Sequence, residues 1–229
     1  MKWISDLIDL IFPRHCLVCG EILSAQEKDI CVNCLNSLPR IEKIHLEEIE
    51  KTFWGKIEIE RATSFIYYRK SSPYNNLLHW LKYRNSPEVG ERLACMAAKE
   101  IAATGFFDGI DIIIPLPLSK KKKRRRGYNQ SDYIAKGISR ATGIPVVTDA
   151  VVREKSNETQ THKNRDERWK NVEGIFKLAA PEKLEGKHIL LIDDILTTGA
   201  TLCSCASSIQ HGCNCRTSIF TLAYTYNVI

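Results

Sequence analysis

His188-Ile-Leu-Leu-Ile-Asp193-Asp194-Ile-Leu-Thr197-Thr198-Gly199-Ala200-Thr201 decides how this chain folds. Ile189 to Ile192 are apolar without alternation and end in two adjacent carboxylates. A strand buried on both faces reads this way, as in a parallel sheet covered by helices on each side. A turn rich in Thr and Gly follows, and Thr201 to His211 reads as a helix. In open α/β sheets, ligands bind outside the carboxyl ends of the strands. A helix start at that place offers free backbone N–H groups and the positive end of its dipole, which suits a phosphate. Gly199 keeps a Cβ out of the phosphate's way, and Thr197, Thr198 and Thr201 add hydroxyl donors. Asp193 and Asp194 are acceptors that repel phosphate and hold sugar hydroxyls. One turn thus sets donors for a phosphate beside acceptors for a diol, the pattern that a ribose 5-phosphate requires.

The alternation of β and α signals extends outward from this turn. Ala62 to Tyr68 reads as a strand, Tyr74 to Tyr83 and Glu91 to Ala103 as helices, and Ile110 to Ile114 as a second buried strand. Ser131 to Thr142 reads as a helix, Pro145 to Val152 as a strand region and Cys213 to Tyr224 as the last strand. The class is α/β with a mostly parallel sheet, preceded by a small module of zinc-ribbon type. The divisions read from the sequence are an N-terminal helix and knuckle over 1–40, a charged linker with some helix over 41–60, and the α/β domain over 61–229.

The chain has 229 residues, 44% hydrophobic and 26% charged, which excludes a disordered protein. Its net charge of +6 is concentrated at Lys120-Lys121-Lys122-Lys123-Arg124-Arg125-Arg126, a block that favours anionic partners. Met1 to Phe12 holds Trp3, Leu7, Leu10 and Ile11 near one face of a helix, but Asp6 and Asp9 interrupt it as a signal peptide. No apolar run approaches the roughly 20 residues of a membrane-spanning helix. The expectation is a cytoplasmic protein without membrane insertion.

Nine cysteines are an odd number for a closed disulfide set, and the cytosol disfavours disulfides. Cys16-Leu-Val-Cys19-Gly20 and Cys31-Val-Asn-Cys34 form two Cys-x-x-Cys pairs, which supply four thiolates for a tetrahedral Zn²⁺. Such a site has no open position, so its role is structural or in binding. His15 is a spare ligand that four cysteines make unnecessary. Cys203, Cys205, Cys213 and Cys215 lack metal spacing and read as buried small apolar residues.

The acidic pair followed by Thr-Thr-Gly-x-Thr resembles the signature of type I phosphoribosyltransferases, which bind 5-phosphoribosyl 1-pyrophosphate (PRPP). The resemblance implies that Asp193 and Asp194 hold the ribose hydroxyls and that Thr197, Thr198, Gly199, Ala200 and Thr201 cradle the 5′-phosphate. It implies Mg²⁺ with the PRPP. It places pyrophosphate at the loop after Ile114-Pro115-Leu116-Pro117-Leu118, with Pro117, Arg126 and Gly127 in contact. The polar connection Arg153 to Phe176 would close over PRPP, with Lys155, Gln160, Lys163 and Arg168 as its working side chains. Arg126, Lys155 and Arg168 are the candidates for catalytic contact. Catalysis itself stays open, since no nucleophile stands out and positioning with charge neutralisation would suffice.

Taken together, the Cys pairs, Lys82-Tyr83, Pro115-Leu-Pro117, Arg126-Gly-Tyr-Asn-Gln130, Gln160-Thr161, Arg168, Asn171, Phe176 and the acidic turn resemble the ComF family of competence proteins, over roughly Pro13 to Thr225. Tyr128 stands where Phe is commoner, and Lys163 where an apolar residue is frequent. The resemblance implies handling of incoming single-stranded DNA in natural transformation, beside a DNA-translocating helicase or other competence proteins. Lys120 to Arg126 would track the phosphate backbone, and Tyr128 and Trp169 would stack on bases. The rival reading is an active phosphoribosyltransferase of nucleotide metabolism with an unidentified acceptor and no DNA role. A glutamine-dependent amidophosphoribosyltransferase is rejected, because Lys2 follows Met1 and the first cysteine is Cys16. No helix-turn-helix is evident.

Overall fold

The computed structural model describes residues 12–84, 86–154 and 175–225. Its strands in chain order are β1 (Arg61–Tyr68), β2 (Ile112–Pro115), β3 (Val151–Arg153), β4 (Phe176–Leu178), β5 (His188–Leu196) and β6 (Arg216–Thr225). Four of them form a parallel sheet in the order β1-β6-β5-β2, while β3 and β4 pair antiparallel apart from it. The helices are α1 (Val32–Asn36), α2 (Leu46–Lys51), α3 (Asn75–Tyr83), α4 (Glu88–Ala102), α5 (Lys120–Arg126), α6 (Gln130–Thr142) and α7 (Ala200–Gln210).

β5 is an inner strand, and Ile189, Leu190, Leu191 and Ile192 are each fully buried. Successive side chains of a strand point to opposite faces. Leu190 and Ile192 therefore enter one core with Ile113 and Phe220, closed by Leu77 and Leu81 of α3, Ala94 and Ala97 of α4 and Ile134 and Ile138 of α6. Ile189 and Leu191 enter the other with Ile112, Ile114 and Ile219, closed by Ile49 of α2, Leu202 and Ile209 of α7 and Phe176 of β4. This two-sided demand is why the run shows no polar alternation.

Two expectations change in detail. The strand region at Pro145 to Val152 is divided: Val146 bridges Ile113 beside β2, and after a bend the chain leaves to pair as β3 with β4. The charged stretch over 41–60 carries α2 and fully buries Ile49 and Phe53. Its apolar residues Leu46, Ile49 and Phe53 recur at helical spacing among the charges. Just before it, Ile41 N–H donates to Phe65 O at 3.0 Å and Tyr67 N–H to Pro39 O at 2.8 Å, so residues 39–41 cover part of the free edge of β1.

α4 and α6 cross with their backbones nearly touching at Gly137, where a Cβ would lie 2.2 Å from Glu91 O and 2.9 Å from Ala94 Cβ. Backbone cannot give way as a flexible side chain can. Gly137→Ala is therefore expected to lose about 2 kcal/mol of stability in urea unfolding. A loss below about 0.5 kcal/mol would show that the crossing relaxes freely.

Candidate functional site

β5 does not end at Ile192. It continues to Leu196, with Asp193 opposite Thr221 of β6, so both carboxylates sit inside the last part of a buried strand. Asp193 Oδ1 accepts from the Asp194 N–H at 2.8 Å and from the Ser131 hydroxyl of α6 at 3.3 Å. Asp194 is 8% exposed, and its Oδ2 lies 3.1 Å from the Lys82 ammonium of α3. Burial, and then the neighbouring charge of Asp194, push Asp193 up from the usual carboxylate range to about 7. The Asp194 N–H, Lys82 and Ser131 work against that rise.

The chain turns at Thr197 and Thr198, and α7 starts at Ala200 with Gly199 as its N-cap at φ 73°. Thr197 is exposed, while Thr198, Ala200 and Thr201 are half-buried. The first turn of α7 contains no acidic residue, and no side chain of the N-cap closes it. Thr198 Oγ1 accepts from the Ala200 N–H at 3.5 Å, and the following N–H groups of the first turn, with the dipole, remain available to an anion. Gly199 is required for a reason the sequence did not reveal. A Cβ on it would stand 2.9 Å from Thr52 Cγ2 and 3.2 Å from Phe53 Cε1, so protein fills that side of the turn.

β2 ends beside this turn, where Leu116 N–H donates to Ile192 O at 2.8 Å. Pro117 follows, half-exposed. The basic block, to which the sequence assigns no element, forms α5. Ser119 caps its start, accepting from the Lys122 N–H, and Gly127 ends it at φ 82° with its N–H on Lys123 O at 2.8 Å. Both caps were legible, a Ser just before and a Gly just after the run. Lys120 to Arg125 are exposed. Lys120, Lys121, Lys123, Arg124 and Arg125 line an open cleft of about 990 Å³ together with Arg153. Lys122 is held below its ordinary value by desolvation and by the cations Arg153 and Arg126, while Asp193 and Asp194 pull the other way.

Arg126 is half-buried, with its guanidinium 5.3 Å over the Tyr83 ring. Tyr128 is half-buried too. Its hydroxyl donates to Leu81 O at 2.6 Å, and its ring meets Tyr133 edge-on at 5.6 Å. Asn129 donates to Leu116 O at 3.1 Å, which ties this segment to the end of β2. Arg126 Nε, Asn129 Oδ1, Gln130 Nε2 and Arg153 Nε are buried without a hydrogen-bond partner among the described residues. A buried polar atom left without any partner costs about 1–3 kcal/mol, so these four atoms call for water or a bound polar group.

The structure therefore brings Asp193, Asp194, the turn Thr197 to Thr201, Pro117 and the segment Arg126 to Gln130 to one end of the sheet. Lys155 and Arg168, with Gln160, Lys163 and Trp169, lie outside the described residues. Ser131 and Arg153 escaped the sequence reading, and Lys82 entered it only through a family pattern. No spacing joins residue 82 or 131 to the acidic pair, and only the packing of α3 and α6 does.

The second centre lies near the N-terminus. The sulfur atoms of Cys16, Cys19, Cys31 and Cys34 lie within 4.8 Å of one another, and Cys19 Sγ is 3.7 Å from Cys31 Sγ. Ligands of a tetrahedral Zn²⁺ at about 2.3 Å stand about 3.8 Å apart, so the donor set and its spacing fit zinc. Burial raises the Cys16 thiol, but backbone hydrogen bonds from Cys19, Cys31 and Val18 outweigh it and bring the group down to about 6. His15 Nδ1 faces Gly20 O at 2.9 Å and is engaged elsewhere. Arg92 of α4 grips Asp29, and the Tyr74 hydroxyl donates to Cys34 O at 3.0 Å, so the module is bound to the α/β body. Cys203, Cys205 and Cys213 are buried, and burial pushes Cys203 up to about 11.

The sheet, its acidic turn and the four-cysteine centre define a phosphoribosyltransferase-type α/β domain behind a zinc ribbon. Family models agree: a double zinc ribbon domain matches residues 7–45, and a phosphoribosyl transferase domain matches residues 125–221. The competence protein ComFC of Bacillus subtilis is 36% identical over 216 residues, covering 88% of this chain and 86% of that protein. Competence protein F of Haemophilus influenzae is 29% identical, with coverage of 83% and 76%. The DNA utilization protein YhgH of Escherichia coli is 30% identical, with coverage of 63% and 68%. The chain belongs to the ComF family of competence proteins. No helix among the described residues is long and apolar enough to cross a membrane.

The donor set supports a structural zinc. The purified protein is expected to carry about one zinc per chain by emission spectrometry. Cys31→Ser should lose most of it and lower the melting temperature by about 5 °C or more. Full metal content in that variant would exclude Cys31 as a ligand.

Proposed function

We propose that this protein binds PRPP with Mg²⁺ at the acidic turn, and that it serves in the cytoplasmic handling of single-stranded DNA during natural transformation. The observation that carries the first half is the meeting of two adjacent carboxylates, Asp193 half-buried and Asp194 buried, with the start of α7 at the carboxyl end of β5. Asp193 and Asp194 would accept from the ribose hydroxyls. Thr197, Thr198 and Thr201, with the first N–H groups of α7, would donate to the 5′-phosphate. Arg126 and Gly127 would lie towards the pyrophosphate, whose charge Mg²⁺ would share. Buried donors without partners at Arg126, Gln130 and Arg153 support a polar occupant nearby.

The second half draws on family membership and on α5. The relatives are named for competence and DNA utilization. Helix formation spreads the cations around a short cylinder, so Lys120 to Arg125 present charge in several directions. That suits a flexible strand better than a fixed duplex groove. Tyr128 is held by Leu81 and Tyr133, so affinity at this surface would be chiefly electrostatic.

Calorimetric titration of the zinc-loaded protein with Mg·PRPP is expected to give one site per chain. Asp193→Ala with Asp194→Ala should weaken it about 100-fold or more, the loss of two charged acceptors. No heat from folded wild type would remove the PRPP reading. Binding of single-stranded DNA should weaken with salt with a logarithmic slope of about −4, for six exposed cations at about 0.7 each. A slope near zero would remove α5 from the DNA interface.

A further inference from the structure

Lys82 occupies the last turn of α3, a helix whose Leu77, Leu78 and Leu81 are committed to the core. A lysine at such a border ordinarily keeps its ammonium in water. Here only 20% of its side-chain surface is exposed, and its ammonium stands 3.1 Å from Asp194 Oδ2, whose own side chain is 11% exposed. Holding a long side chain inward costs rotamer freedom, so the contact is specific rather than incidental. The end of α3 is also fixed in place. Leu81 O accepts the Tyr128 hydroxyl at 2.6 Å, and Arg126 lies over the Tyr83 ring at 5.3 Å. Three consecutive residues of α3 thus contact Asp194 of the acidic pair and the segment Arg126 to Tyr128 beside it.

We infer that Lys82 is a positioning residue for the diol-binding carboxylates: it pins Asp194 and keeps the pair ionised enough to accept two sugar hydroxyls at neutral pH. This rests on the reading of the turn as a PRPP site.

Two adjacent carboxylates in a buried strand disfavour each other's ionisation, and a cation within a few ångströms offsets that. The groups that face the pair are Lys82 from α3, Ser131 from α6, Lys122 from α5, Arg153 from β3 and the Cys205 thiol from α7. Of the three cations, Lys82 alone stands within ion-pair distance among the described residues. Lys122 is exposed and Arg153 half-buried, and the attraction of Asp193 for both, and of Asp194 for Lys122, acts at longer range. Asp193 is steered by hydrogen bonds from Ser131 and the Asp194 N–H instead. Two helices therefore set the two carboxylates by different means, α3 by charge and α6 by a hydroxyl.

The test uses the full, zinc-loaded chain with Lys82→Met and Lys82→Arg. The apo protein, labelled at aspartate carboxyl carbons, is titrated by NMR, and Mg·PRPP affinity is measured by calorimetry between pH 5.5 and 8.5. In Lys82→Met the pair is expected to release its last proton about one pH unit higher than in wild type. PRPP affinity should then fall about tenfold at pH 5.5 and about fivefold at pH 7, and recover towards pH 8.5. Lys82→Arg should stay within about twofold at every pH, since it keeps the charge. An unshifted carboxylate titration, or a loss equal at all pH values, would overturn the proposal. Should Lys82→Met fail to fold, Lys82→Gln keeps a donor without the charge and carries the same expectation. If wild type binds no PRPP, the PRPP reading fails, and the apo titration still decides whether Lys82 acts on the pair.

Discussion

The burial of β5 on both faces is the constraint from which the other features follow. A strand with no polar side needs a helix layer above and below, and both layers must be delivered by connections between parallel strands. α3, α4 and α6 supply one layer, and α2 and α7 supply the other. That arrangement gathers the strand ends of β2 and β5 with the starts of α6 and α7. The same burial removes solvent from Asp193 and Asp194, so their charge has to be managed by neighbours and not by water. The site is a by-product of how the core closes, and its electrostatics are set by the core as well.

What the sequence discloses follows from the range of each interaction. Local patterns were enough for β5, for α7 and for the four-cysteine centre, because their signals lie within a few dozen consecutive residues. The extent of β5 was underestimated, since Asp193 and Asp194 look like a turn until β6 is seen paired beside them. α5 has no apolar face to show a helical period, and only Ser119 and Gly127, which cap it, mark it as a helix. The contribution of residues 41–60 was hidden for a related reason: abundant Glu and Lys mask the spacing of Leu46, Ile49 and Phe53. Lys82 and Ser131 belong to a different category. Their importance depends on where α3 and α6 land, which no local pattern encodes.

The zinc ribbon and the α/β domain are less separate than their compositions suggest. Arg92 and Asp29 join them, and so do Tyr74 with Cys34 O and the Arg40 guanidinium with both oxygens of Glu100, at 2.7 and 3.0 Å. The partly exposed ion pairs among these contribute little singly. Together with the hydrogen bonds of residues 39–41 to β1, they hold the ribbon in one orientation on the body.

The contact of Thr52 and Phe53 with Gly199 bears on where this chain can be divided. A cut at the first strand would discard the buried Ile49 and Phe53, expose the edge of β1, and remove the wall behind the turn Thr197 to Thr201. A fragment that keeps these contacts has to begin no later than Pro39. In this fold the contacts of the α/β body reach more than twenty residues ahead of its first strand, into a stretch whose composition resembles a tether.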